Sequence, residues 1–168
     1  MSEARPSGRA GLVIRPSLTV GLLTLLTMVE IVNRQRRQKI NAKRWREFGA
    51  RALRAVGVNK RTASIVFVSD AAIRKLNRQF RGRDTATDVL SFPIQAEKFE
   101  RENQSHLGEI VISVPRATAQ AKQNGLSFTS EVQQLILHGL LHLCGYDHET
   151  DGGEMNRLEL RLRNKLGI

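Results

Sequence analysis

His138-Gly139-Leu140-Leu141-His142-Leu143-Cys144-Gly145-Tyr146-Asp147-His148 gathers three of the chain's four histidines into eleven residues, at the spacing H-x-x-x-H-x-x-G-x-x-H. On a helix, His138 and His142 stand one turn apart and share a face. Gly145 can take the left-handed conformation that ends a helix, so the chain turns back and brings His148 as a third ligand. Three imidazoles leave the fourth tetrahedral position of a zinc ion to water, the arrangement of a catalytic site. The residues leading in (Val132, Leu135, Ile136, Leu137, Leu140, Leu141) make the helix apolar nearly all round, so it must be central. With strands early in the chain and helices late, this predicts a single α+β domain: a small mixed sheet packed against helices, with the central helix carrying the histidines.

The same spacing occurs in the metzincin peptidases, H-E-x-x-H-x-x-G-x-x-H, but Gly139 stands where they carry a general-base glutamate. Peptide hydrolysis needs a base that later protonates the leaving amine. A bound zinc ion lets water ionise near neutral pH without a separate carboxylate, so other hydrolyses remain open. Cys144 lies off the face shared by His138 and His142 and reads as a small buried thiol. It is the only cysteine, so no intramolecular disulfide forms, which suits a reducing cytosol.

Outward from the motif, residues 28–33 read as a strand and 41–56 as an amphipathic helix with Trp45, Phe48, Ala52, Leu53 and Val56 inward, stopped by Gly57. Ser64–Val68 is a β-branched run, hence a buried strand. Asp70 is the expected cap of a helix to about Phe80, with Ile73, Leu76 and Phe80 on its apolar side. Val89–Phe92 forms a strand stopped by Pro93. The charged segment 95–106 reads as an excursion, Gly108–Val114 as a strand, and 116–124 as a helix with Pro115 in its first turn. Ser130 and Gln133 suit a capping box for the histidine helix, and a last helix spans 151–166 with Met155, Leu158, Leu162 and Leu166 inward. His106 reads as a surface residue. Thr87 and Asp88 read as fixing a strand entry, and Asp147 as either holding the turn or supporting a ligand histidine.

The formal net charge is +11, and its distribution matters more than its sum. Arg34 to Arg61 holds eleven basic residues against one acid, Glu47, and the run Arg74, Lys75, Arg78, Arg81, Arg83 holds none. Such stretches fit a polyanion, most often nucleic acid, and the excess of arginine favours phosphate forks. Only eight aromatics occur, so stacking is not expected to dominate binding. Arg5, Arg9 and Arg15 precede an apolar stretch, Leu18–Val29, that lacks a small-residue cleavage site and is too short to span a bilayer. Residues 1–27 are therefore expected to be an N-terminal extension, disordered or upstream of a native start at Met28, and 28–168 the domain.

Phe80-Arg81-Gly82, then Thr87-Asp88-Val89-Leu90-Ser91-Phe92-Pro93, then Gly108-Glu109-Ile110, then the histidine motif, occur in the order found in the bacterial YbeY family, which this chain resembles from about Met28 to its end. Ala86 departs from the proline many members carry there. The resemblance implies a metal-dependent endoribonuclease acting as a ribosomal RNA maturation factor. It implies one Zn²⁺ held by His138, His142 and His148, a functionally important arginine at Arg81, ribosomal RNA and the ribosome or its small subunit as partners, and a cytoplasmic location. The expected activity is single-strand-specific RNA cleavage in small-subunit RNA 3′-end maturation and ribosome quality control. The rival readings are a metallopeptidase, opposed by Gly139, and a noncatalytic RNA-binding assembly factor.

Overall fold

Alternation along one strand sorts the whole molecule. In Thr62–Val68 (β2), Ile65 and Phe67 point into one core and Val66 and Val68 into another, as period-two geometry requires. The computed structural model describes residues 28–94 and 105–168, so residues 1–27 and most of the 95–106 excursion lie outside the described residues. Val29–Asn33 (β1) runs parallel to β2, with Ile31 opposite Ile65. His106–Ser113 (β4) is parallel to β2 on its other side, with Ile110 opposite Ile65. Val89–Pro93 (β3) closes the edge antiparallel to β4, giving the order β1-β2-β4-β3. The helices are Ala42–Val56 (α1), Asp70–Arg81 (α2), Val114–Gln123 (α3), Phe128–Leu143 (α4) and Glu154–Leu166 (α5). This is the expected α+β domain with a mixed sheet.

The larger core lies between one sheet face and helices α1 and α4, where Trp45, Phe48 and Leu53 meet Ile65, Phe67, Ile110, Ile112, Ile136 and Leu140. The far face carries α2, through Ile73 packed on Val68, Leu90 and Val111. Leu137 and Leu141 turn away from the sheet and pack on Met155 and Leu162 of α5. Helix α4 is thus covered from two sides, which is why its sequence is apolar nearly all round. Each such buried side chain contributes roughly 1.5–3 kcal/mol.

Several element ends differ from expectation. The cap of α4 is Ser127, whose Oγ accepts from Ser130 N at 3.0 Å, so Ser130 lies inside the first turn and does not cap it. Ser69 caps α2 in place of Asp70, accepting from Ala72 N. In both cases a serine upstream of the expected cap, by one residue at Ser69 and by three at Ser127, starts the helix earlier by accepting from the N–H three residues on. Phe80 is 59 % exposed and packs edge-on to Phe92 at 5.1 Å, outside the core. Helix α5 starts at Glu154, because the Asp151 carboxylate holds the preceding turn by accepting from Gly153 N and Met155 N. Strand β4 begins at His106, two residues before the expected start at Gly108, and α3 directly follows it at Val114.

Gly108 sits at φ +139, and a Cβ there would lie 2.2 Å from the Phe92 carbonyl oxygen across the β3–β4 pair. Gly108→Ala is therefore expected to cost roughly 2–4 kcal/mol in denaturant unfolding. Gly152→Ala, where nothing lies within 4 Å, should stay within about 0.5 kcal/mol of wild type.

Candidate metal centre

His138 and His142 project from the last two turns of α4. Beyond Leu143 the helix closes on Gly145 at φ 92, with Gly145 N donating to His142 O at 3.0 Å and Tyr146 N to Leu141 O at 3.1 Å. That reversal carries His148 back, and one ligand atom from each of the three rings lies within 4.8 Å of the others. The Nε2 atoms of His138 and His142 are 3.1 Å apart. A tetrahedral zinc ion with nitrogens at about 2.05 Å separates them by about 3.3 Å, so the three residues fit such an ion. Burial, and then the charges of His138 and His148, hold the His142 pKa below its ordinary value, favouring the neutral form a metal needs.

One supporting residue escaped the sequence reading. Glu159 of α5 places Oε2 3.0 Å from His138 Nδ1, so that nitrogen donates to the carboxylate and Nε2 is left for an ion. Arg163 in turn donates to Glu159 Oε1, with Nε at 3.2 Å, and through Nη1 to Gln134 Oε1 at 2.9 Å. Burial works against the Glu159 charge, yet the hydrogen bonds and charges of His138 and Arg163 outweigh it and hold its pKa below normal. The signal was present: Glu159 falls between Met155 and Leu162 on a buried stripe, where a carboxylate must find partners.

The remaining candidates separate clearly. A Cβ on Gly139 would meet Ile110 Cγ2 at 2.7 Å, so the position of a peptidase glutamate is pressed against the sheet. Asp147 accepts from Glu149 N at 3.0 Å and Thr150 Oγ1 at 3.2 Å, so it holds the turn before α5. The Glu149 N–H is the main reason its pKa is low. Cys144 is half-buried, its thiol pushed up to about 11 by burial, and it is not among the residues whose ligand atoms converge. His106 is half-buried and not a free surface residue, with Nδ1 2.9 Å from Thr62 Oγ1.

Thr87 Oγ1 and Val89 N both donate to Asp88 Oδ1, and Asp88 O accepts from Ser113 N, fixing the entry to β3 as expected. Arg81 is exposed at the end of α2, on the far side of the sheet from α4, and borders neither cavity that His138 or His142 lines. The loop after it is pinned by the Arg74–Asp84 ion pair at 2.8 Å and by Asn77 Nδ2 donating to Thr85 O at 2.8 Å. It ends at Asp88, the residue before β3, which lines a cavity of about 360 Å³ that His138 borders.

Glu159→Gln is expected to weaken zinc binding roughly tenfold or more, because the amide orients His138 without the carboxylate's charge. Competition with a chromophoric chelator measures this. Unchanged affinity would remove Glu159 from the centre. Gly139→Glu is expected to lose cooperative unfolding altogether, as followed by denaturation, since the side chain must displace Ile110 from the core.

Comparison with known proteins gives a consistent picture. The profile of the family described as Endoribonuclease YbeY matches residues 30–167. The Endoribonuclease YbeY of Geobacter metallireducens is 39 % identical over 141 residues, covering 83 % of this chain and 94 % of that protein. That of Geobacter sulfurreducens is 38 % identical over 136 residues, covering 80 % and 91 %. The solution structure of TM1509 from Thermotoga maritima superposes with a TM-score of 0.58 at 27 % identity, covering 83 % of this chain and 89 % of that one. With its three histidines converged on one point, this chain belongs to the YbeY endoribonuclease family, a family of metal-dependent hydrolases.

Proposed function

We propose that this chain is a single-strand-specific, zinc-dependent endoribonuclease of the cytoplasm. It acts in ribosomal RNA processing, at small-subunit RNA 3′-end maturation and in ribosome quality control, with residues 28–168 as the working domain. The observation that carries this reading is the convergence of His138, His142 and His148 beside an open polar cavity, in a family named for RNA cleavage. His138, His142 and His148 would hold a zinc ion there, which when bound would supply ionised water and positive charge near the scissile phosphate. Glu159 fixes the tautomer of His138, and Gly139 lets α4 approach the sheet closely enough to aim both helix histidines outward. The absence of room for a glutamate at Gly139 disfavours the peptidase alternative.

RNA contact is assigned to the basic surface. Lys43, Arg44, Arg46, Arg51 and Arg54 are exposed along α1, and with Arg34, Arg36 and Arg37 they offer phosphate contacts that carry no sequence information. Arg81 is assigned to the scissile phosphate or its neighbour. Its loop ends at Asp88 beside His138, and a guanidinium fork stabilises charge on nonbridging oxygens. In this reading the strand crosses the β3 edge between Arg81 and the metal centre.

Zinc-loaded wild type is expected to cleave single-stranded RNA and not peptides. His142→Ala should lose at least about a hundredfold of that activity, chelation should abolish it and zinc restore it. Metal content should be about one ion per chain in wild type and should vanish in a His138→Ala/His142→Ala double variant, by elemental analysis. RNA binding with no cleavage in any metal form would favour the assembly-factor alternative.

Arg81→Ala should depress single-turnover cleavage by about a hundredfold or more while RNA affinity changes far less, since the contact strengthens as charge develops. Cleavage of bound RNA at the wild-type rate would make Arg81 a positioning residue. Neutralising Arg34, Arg36 and Arg37 together should instead weaken binding across sequences and flatten its salt dependence by about one unit per lost phosphate contact.

A further inference from the structure

The cavity beside His138 has the chemistry of a base pocket. It holds about 360 Å³ and opens between α3, α4, α5 and the entry to β3. Val89 and Leu135 line it with apolar surface suited to the faces of a flat ring, while Gln120, Glu131 and Gln134 set polar groups in its walls. Along α4, Glu131, Gln134, Leu135 and His138 fall on one stripe, so the pocket runs from His138 for about 10 Å along the helix axis. A nucleotide whose phosphate lies at the histidines can therefore drop its base between these walls.

Glu131 is 3 % exposed, and its Oε2 is the buried side-chain oxygen without a hydrogen-bond partner among the described residues. Buried acceptors are rarely left so, and an orphaned one asks for a donor. The terminal torsion of a glutamate is soft, so the carboxyl can turn to meet a donor arriving in the cavity. Gln134 gives its Oε1 to Arg163, which leaves its amide N–H₂ to donate. Asp88 and Asn124 also line the cavity, while Arg163 across it is already paired with Glu159. Burial and the Asp88 charge work against the Glu131 charge, so a ligand that brings N–H donors meets a poorly compensated carboxyl.

Resting on the nuclease reading above, we propose that this cavity is a specificity subsite that takes a guanine base next to the scissile phosphate. Guanine presents N1–H and N2–H₂ as adjacent donors to the Glu131 carboxyl and O6 as an acceptor to a glutamine amide. No other standard base offers two neighbouring donor groups on that edge. Recognition of this kind is how single-stranded RNA is read, with the base splayed out and bonded along its Watson–Crick edge.

The test uses zinc-loaded full-length protein and short single-stranded RNAs that differ only in the base beside one scissile phosphate. Wild type should prefer guanosine by roughly tenfold to a hundredfold over the other standard bases and over inosine, which lacks the 2-amino group. Glu131→Gln should bring these ratios near one, with a melting temperature showing that it folds. Gln120→Ala, on the opposite wall and outside the His138 network, should lower them partway. A flat wild-type profile, a preference for another base, or a guanosine preference that Glu131→Gln leaves intact overturns the proposal. Guanosine 5′-monophosphate titrated into the protein gives a readout independent of cleavage: amide shifts at Glu131 and Gln134, weaker with inosine 5′-monophosphate and lost in Glu131→Gln. If wild type cuts no RNA at all, the nuclease reading fails by itself, and the presence or absence of those shifts still decides for or against the pocket.

Discussion

The contact of Gly139 with Ile110 is the constraint on which the rest of the structure depends. Without a Cβ at that position, α4 settles directly on the central strands, with the ideal Cβ position only 2.7 Å from the Ile110 methyl. That approach lets Ile136 and Leu140 seal the larger core and sets the rotation of the helix. Rotation in turn decides where every other side chain of α4 points. Leu137 and Leu141 must face α5, and His138 and His142 are left facing the remaining open side. A glycine in mid-helix costs about 1 kcal/mol in propensity, and close packing on the sheet offsets it.

Burying the histidine helix creates an electrostatic problem that α5 solves. Glu159 reaches His138 from a helix otherwise packed through Met155 and Leu162, and Arg163 ties that carboxylate to Gln134 back on α4. The result is a closed circuit between two helices, in which the ligand's tautomer is set by a residue that never touches the ion's position. Breaking one member of such a buried pair leaves a charge uncompensated, so the circuit also locks α5 in place.

The two faces of the sheet are used differently. One is filled by α1 and α4 and supports the histidines, while the other is covered by α2, whose end carries Arg81 and the exposed Phe80. The connection from α2 to β3 is held at both ends, by Asp84 and Thr85 against α2 and by Asp88 against Val89 and Ser113.

The sequence by itself determined the histidine triad, the turn at Gly145, the strands and helices, and membership in the family. All of these rest on local geometry: one helical turn separates His138 from His142, a left-handed glycine reverses the chain, and periodicities of 2 and 3.6 mark buried faces. Tertiary structure alone decided which faces meet. It showed that Glu159 supports His138, that Gly139 is a steric requirement as well as a missing base, that Glu131 is buried with one oxygen unpartnered among the described residues, and that Arg81 stands across the sheet from the triad. The caps at Ser69 and Ser127 also needed it, since several nearby hydroxyls and carboxylates can begin each helix and the packing of the helix selects where it starts. Spacing in sequence reports distance along one element, whereas these relations cross between elements, and only the packed core fixes that distance.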